Sequence, residues 1–188
     1  MNSKDKDKNS IKISGKKSFQ NNIFFIGFMG VGKTTVSEYL SIILNRSKIE
    51  IDKYIEEKEN MTISQIFEQY GENYFRNCET DVLNELKKKN NKIISCGGGI
   101  VLRDENIDLM KEQGQIVLLT ASPQTVYERV KSSEERPILN NNMNVEFISS
   151  LMKKREEKYL KTADIIIDTD NKNIKEVSAE IIKKLNEQ

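Results

Sequence analysis

The sequence predicts an α/β fold in three layers, α/β/α, built around a central parallel sheet of five strands. Short apolar runs alternate with segments of helical periodicity, and the first run ends in a glycine-rich turn that opens a helix. The length agrees: 188 residues, 37% hydrophobic and 31% charged, suit one domain whose core needs no stapling.

Taken in order, the runs at 23–26, 48–51, 92–95, 115–119 and 164–167 read as strands. Helical periodicity begins at Thr35 and returns at 64–70, 73–88, 103–113, 124–131, 145–161 and 174–186. Strands and helices that alternate in this way make a parallel sheet with helices on both faces. Residues 1–22 mix Lys, Asp, Ser and Asn and are expected to be a disordered leader or a vector-derived remnant, leaving 23–188 as the domain. The stretch 132–144, polar and containing one of only two prolines, is expected to be an exposed mobile loop.

Composition narrows the function. Lys plus Arg at 30 against Asp plus Glu at 29 leaves a net charge of +1, so no global field draws nucleic acid or an anionic membrane. The chain has no histidine, which excludes a histidine ligand or a histidine general base. Cys78 and Cys96 lie far apart without metal-ligand spacing and read as buried thiols. No apolar run approaches the roughly 20 residues of a membrane helix. The expected location is cytoplasmic.

Gly27-Phe28-Met29-Gly30-Val31-Gly32-Lys33-Thr34 fits G-x-x-x-x-G-K-[ST] after a strand and before a helix, the context that pattern requires. Glycines let the backbone N–H groups converge on a β-phosphate while the positive end of the helix faces the same oxygens. Lys33 then reaches the β- and γ-phosphates, and the Thr34 hydroxyl is placed to bind Mg²⁺ directly. The motif alone implies a site for a magnesium nucleoside triphosphate.

Three further pieces bear on the acceptor. Glu50 and Asp52 are two apart and, on an extended segment, point to one side at the carboxyl end of a strand, where open α/β sheets place their ligands. The competing reading is two solvated acids. Arg76 and Glu79 fall at i and i+3 on one helix face, so Glu79 can orient the arginine. Gly97-Gly98-Gly99 follow a strand directly and permit close backbone approach to a ligand.

With these pieces in this order, the sequence from about Asn22 onward closely resembles the shikimate kinases, small P-loop enzymes akin to nucleoside monophosphate kinases. The resemblance implies a P-loop NTPase fold with a mobile lid over roughly 132–144, and ATP-dependent phosphorylation of the 3-hydroxyl of shikimate with Mg²⁺. It implies that Asp52 contacts the hydroxyl to be phosphorylated. Arg76, in GENYFR, and Arg155, in KKREEKY, would hold the substrate carboxylate, with Gly97, Gly98 and Gly99 lining the pocket. Arg136, in ERPIL, matches the lid arginine that closes over the phosphates. Arg129 matches the basic residue beside the adenine, for which a surface ion pair is the competing reading. Residues Gly27 and Met29 through Thr35 would bind ATP. Glu50 and Ser95 would hold Mg²⁺ through water.

Two departures stand out. The family usually has aspartate where Glu50 stands, and the extra methylene is expected to shift or weaken the metal contact. The segment from Asp168 to Asn173 resembles the adenine-side loop without its common proline. Two alternatives stay open: another small-molecule or nucleoside monophosphate kinase, which would use the same loop and lid, and a nucleotide-binding module without catalysis. A monomer acting on small molecules, without nucleic-acid or membrane partners, is expected.

Overall fold

The computed structural model describes residues 21–131 and 144–187. Most of 1–22 and of the expected lid, including Arg136, lies outside the described residues.

Five strands form one parallel sheet: β1 (Asn22–Ile26), β2 (Ser47–Glu50), β3 (Lys92–Ser95), β4 (Gly114–Thr120) and β5 (Ile165–Asp168), in the spatial order β2-β3-β1-β4-β5. The helices are α1 (Lys33–Ile43), α2 (Ile51–Glu59), α3 (Ile63–Leu86), α4 (Asp104–Gln113), α5 (Pro123–Val130), α6 (Val145–Thr162) and α7 (Ile174–Glu187). A 3-10 turn at Ile100–Leu102 leads into α4.

Alternation along the central strand divides the core in two. Ile23 and Phe25 face Val36 and Leu40 of α1 and Val177 and Ile181 of α7. Phe24 and Ile26 face the opposite way, toward Ile51 and Ile55 of α2, Leu83 of α3 and Met110 of α4. Every residue of β1 is buried, as a strand covered on both faces must be. Because β1 lies in the middle, the chain departs from it to β2 and β3 on one side and to β4 and β5 on the other. The crevice at the carboxyl ends of β1 and β3 is therefore the switch point of the sheet, where α/β folds bind ligands.

One region differs from the sequence reading. The strand expected at 48–51 ends at Glu50, and Ile51 already begins α2, a helix the sequence reading lacks. Glu50 is both the last strand residue and the helix N-cap, so no glycine, proline or asparagine marks the boundary. Glu50 and Asp52 are consequently not on one side of an extended segment: Asp52 sits in the first turn of α2. The helices expected at 64–70 and 73–88 follow one another within α3 and are separated at Gly71, whose φ of 76° and ψ of 173° are non-helical, in agreement with the two segments read from the sequence.

A buried polar network ties α3 to the segment after β3. The Thr80 hydroxyl lies 2.7 Å from Asn106 Oδ1 and 3.1 Å from the Arg76 carbonyl, with one proton for the two acceptors. Asn106 Nδ2 donates to the Ile100 carbonyl at 3.1 Å, and Asn106 is fully buried. Asn106→Ala leaves the buried Ile100 carbonyl without its Asn106 donor, while the Thr80 hydroxyl keeps the Arg76 carbonyl as acceptor, so it is expected to cost about 1–3 kcal/mol in urea-induced unfolding. A loss within error of zero would show that the network adds nothing to stability.

Candidate active site

The glycine-rich loop lies between β1 and α1. Gly32, at φ 100°, is the N-cap of α1 in the left-handed region, where a side chain would be strained. Unlike α3, α5 and α6, which start with side-chain caps from Thr62, Ser122 and Asn144, α1 has no side-chain cap and no acid in its first turn. Its first N–H groups and the positive end of its dipole remain available to an anion. The Lys33 ammonium bends back over the loop, donating to the carbonyls of Gly27 at 2.8 Å and Phe28 at 3.0 Å.

A cavity of about 410 Å³ continues from this loop along α1, lined by Gly30, Val31, Gly32, Lys33, Thr34 and Thr35 on one side. Arg129, Thr169 and Lys172 line the other. Arg129 donates to Thr169 Oγ1 at 3.0 Å and to the Thr169 carbonyl at 3.1 Å, which joins it to the loop after β5. The Thr169 hydroxyl lies 2.9 Å from the Thr120 carbonyl, and the Asp170 carboxylate accepts from the Ser122 N–H at 2.9 Å. This wall is fixed to β4 and α5 without the proline.

On the other side of the loop, Gly97, Gly98 and Gly99 bring the remaining groups together. A Cβ on Gly97 would stand 2.6 Å from Asp52 Oδ1 and 3.1 Å from Glu79 Oε1. A Cβ on Gly99 would stand 2.4 Å from both terminal nitrogens of Arg76. Real Cβ atoms essentially never come within 3.0 Å of another group, so Asp52 and the Arg76 guanidinium can approach this closely because Gly97 and Gly99 lack side chains. The Gly98 carbonyl accepts from the Tyr159 hydroxyl and, at 3.1 Å, from Arg155 Nη1. Arg76 donates to Glu79 Oε2 at 2.7 Å and to Glu72 Oε1 at 2.8 Å, which realises the expected pairing of Arg76 with Glu79. Asp52 Oδ1 and Glu79 Oε1 are buried oxygens without a hydrogen-bond partner among the described residues, both beside Gly97. Such atoms are costly unless a ligand or water satisfies them.

Burial raises the Asp52 carboxyl above the usual range, although Lys33 and Arg76 pull it down. Burial likewise pushes Glu79 up to about 7 against the attraction of Arg76. The Cys96 thiol is pushed far up by burial and is inert, and both cysteines are free and buried as expected.

Mg²⁺ prefers oxygen ligands, and the head of α1 supplies them: Thr34 Oγ1 donates to Glu50 Oε1 at 2.8 Å. Ser95, buried on β3, is in register with both Glu50 of β2 and Phe25 of β1. Among the described residues no group of three or more His, Cys, Asp or Glu could hold a metal. Sequence reasoning missed Tyr159 as a site residue, yet it stands four residues after Arg155 on the same helix face, the signal that could have found it.

A phosphate loop at the switch point of a parallel sheet, beside a buried acid and two arginines, defines the class of P-loop kinases. The sequence profile of the shikimate kinase family matches residues 29–186. Shikimate kinase of Dictyoglomus turgidum is 39% identical over 170 residues, covering 88% of this chain and 98% of that protein. The solved shikimate kinase of Acinetobacter baumannii, in complex with shikimate, superposes with a TM-score of 0.84 at 32% identity, covering 89% of this chain and 94% of that one. That of Aquifex aeolicus gives 0.76 at 38% identity, covering 88% and 96%. This chain belongs to the shikimate kinase family.

The raised Glu79 carboxyl has a consequence for stability. An acid whose folded pKa lies above its unfolded value binds protons more tightly when folded, so its contribution is largest below the unfolded value near 4.5 and is lost as pH rises to about 7. The unfolding free energy of the wild type is therefore expected to fall relative to Glu79→Gln across that window, measured by urea titration at several pH values. A constant difference would show that Glu79 titrates as an ordinary carboxylate.

Proposed function

We propose that this chain transfers the γ-phosphoryl group of ATP to the 3-hydroxyl of shikimate, giving shikimate 3-phosphate and ADP in aromatic amino-acid biosynthesis. The observation that carries the reading is the convergence of Asp52, Arg76 and Arg155 on the glycines beside the phosphate loop, in a chain of the shikimate kinase family.

Phosphoryl transfer needs positioning and charge stabilisation more than covalent chemistry by the protein. The N–H groups of the loop from Gly27 through Thr35 would cradle the phosphates, and Lys33 would turn from its carbonyls to the β- and γ-oxygens. Thr34 would bind Mg²⁺ directly, with Glu50 and Ser95 reaching it through water; the ion supplies positive charge to the same oxygens. Asp52 would accept the hydrogen bond of the acceptor hydroxyl and take its proton, a role suited to a carboxyl made more basic by burial. Arg76 and Arg155 would grip the substrate carboxylate, since the guanidinium fork matches two oxygens at once. Arg129 would flank the adenine. Arg136, within a lid at 132–144, would meet the phosphates on closure, a reading that rests on the ERPIL match alone.

A cytoplasmic monomer without nucleic-acid or membrane partners fits the balanced charge, and no helix among the described residues is long and apolar enough to cross a membrane.

Coupled ADP release from Mg-ATP is expected with shikimate but not with gluconate or AMP; release with either rival instead would overturn the assigned acceptor. Silence with all three despite ATP binding would leave a nucleotide-binding module. Asp52→Asn is expected to lower kcat by about a hundredfold or more while ADP affinity by calorimetry stays unchanged. Equal losses in both would remove Asp52 from the acceptor side. The carboxamide of shikimate is expected to lose charge-assisted hydrogen bonds of about 1.5–3 kcal/mol each, and an unchanged KM would sink the roles of Arg76 and Arg155.

A further inference from the structure

Lys48 and Glu50 are two apart on β2 and share one face of the strand, while Thr34 and Glu38 are four apart on α1 and share one face of the helix. These faces meet, and the four side chains form a closed strip. Thr34 Oγ1 donates to Glu50 Oε1 at 2.8 Å. Lys48 Nζ lies 3.5 Å from Glu50 Oε2 and 2.7 Å from Glu38 Oε2. The side chains of Lys48 and Glu50 are 19% and 20% exposed, against 59% for Glu38, so the pair at the centre of the strip is sheltered.

Each oxygen of Glu50 thus has its own partner: Oε1 takes the Thr34 proton and Oε2 faces the Lys48 ammonium. A hydroxyl that donates to Glu50 turns its lone pairs elsewhere, and a hydroxyl can give its proton to a carboxylate while offering a lone pair to a cation. The orientation of Thr34 therefore depends on where Glu50 is held. Glutamate has one more rotatable bond than aspartate, and an untethered carboxylate at this position would spread over several rotamers. Lys48, anchored from behind by Glu38, supplies the tether.

We propose that Lys48 is a positioning residue for the metal: by holding Oε2 of Glu50, it keeps Oε1 on Thr34 and so sets the orientation of the Thr34 hydroxyl toward the Mg²⁺ that accompanies the nucleotide. The proposal rests on the reading of Thr34 and Glu50 as the metal side of the site. Partners that orient a ligand from behind tune metal affinity strongly. A simpler electrostatic view gives the opposite sign, because a cation close to a cation site weakens binding by Coulomb repulsion and its removal strengthens it.

The test is calorimetric binding of ADP to the full chain in excess Mg²⁺ and, separately, in EDTA. Lys48→Met removes the charge and keeps the aliphatic stem; Lys48→Arg keeps the charge. The strengthening of ADP binding by Mg²⁺ is expected to fall about tenfold in Lys48→Met, with affinity in EDTA unchanged and with Lys48→Arg close to the wild type. Adding Lys48→Met to Glu50→Gln is expected to have no further effect, as for residues acting through one another. An unchanged or larger Mg²⁺ effect in Lys48→Met, or equal losses with and without metal, would overturn the proposal. A wild type whose ADP binding ignores Mg²⁺ would instead overturn the metal reading of Thr34 and Glu50, and Lys48 with it.

Discussion

The site depends on a stretch of backbone that carries no side chains. Gly97, Gly98 and Gly99 leave β3 directly beneath the phosphate loop, and the space their missing Cβ atoms would fill is taken by Asp52 and Glu79 on one side and the Arg76 guanidinium on the other. Burying these charges is expensive, and mutual attraction offsets that cost only when each group is held by several partners. The rest of the structure supplies them. Glu79 binds Arg76 from within the core while Glu72 meets it from the solvent side, and Asn106 and Thr80 fasten the helix that carries all three to the turn after the glycines. The unpartnered oxygens of Asp52 and Glu79 are what this assembly leaves open to a polar ligand.

Charge in this protein acts locally. A net charge of +1 gives no long-range attraction for an anionic substrate, so affinity has to come from short-range geometry. At the phosphate loop that geometry is an uncapped helix start and a lysine held by two carbonyls. Toward the acceptor it is arginine, set against Gly99 in one case and hydrogen-bonded to the Gly98 carbonyl in the other. Cations elsewhere in this lysine-rich chain, such as Lys58 and Lys161, sit in exposed pairs worth little.

Much of the fold could be read from the sequence because its signals are local. Apolar runs mark the five strands, and the phosphate loop declares itself by spacing and context. The reading failed where the chain changes conformation without punctuation: β2 passes into α2 at Glu50 with no turn residue, and Asp52 moved from a strand face to a helical turn as a result. The site was legible to the extent that its residues lie within motifs. Their partners were not, because they are distant in sequence: Arg129 is held by Thr169, forty residues on, and Gly98 receives Tyr159 from sixty-one residues away. No periodicity reports such contacts, which arise only when the sheet order places β1 between β3 and β4.

That order also explains why nucleotide and acceptor sides are not independent. The Gly98 carbonyl is the common acceptor for Tyr159 and Arg155, and a Cβ on Gly98 would lie 3.6 Å from the Gly27 carbonyl and 3.7 Å from the Met29 nitrogen. Residues of α6 therefore meet the phosphate loop through the Gly98 peptide and, directly, where the Arg155 guanidinium lies over the Phe28 ring at 6.0 Å. The Tyr159 hydroxyl, buried and with its pKa pushed up to about 12, keeps its proton throughout the physiological range and is a permanent donor to that carbonyl. Tyr159 thus ties α6 to the glycine backbone against which Asp52, Glu79 and Arg76 pack. The Gly98 peptide therefore takes hydrogen bonds from α6 on its carbonyl while packing against the glycine-rich loop, which ties the positions of these elements to one another.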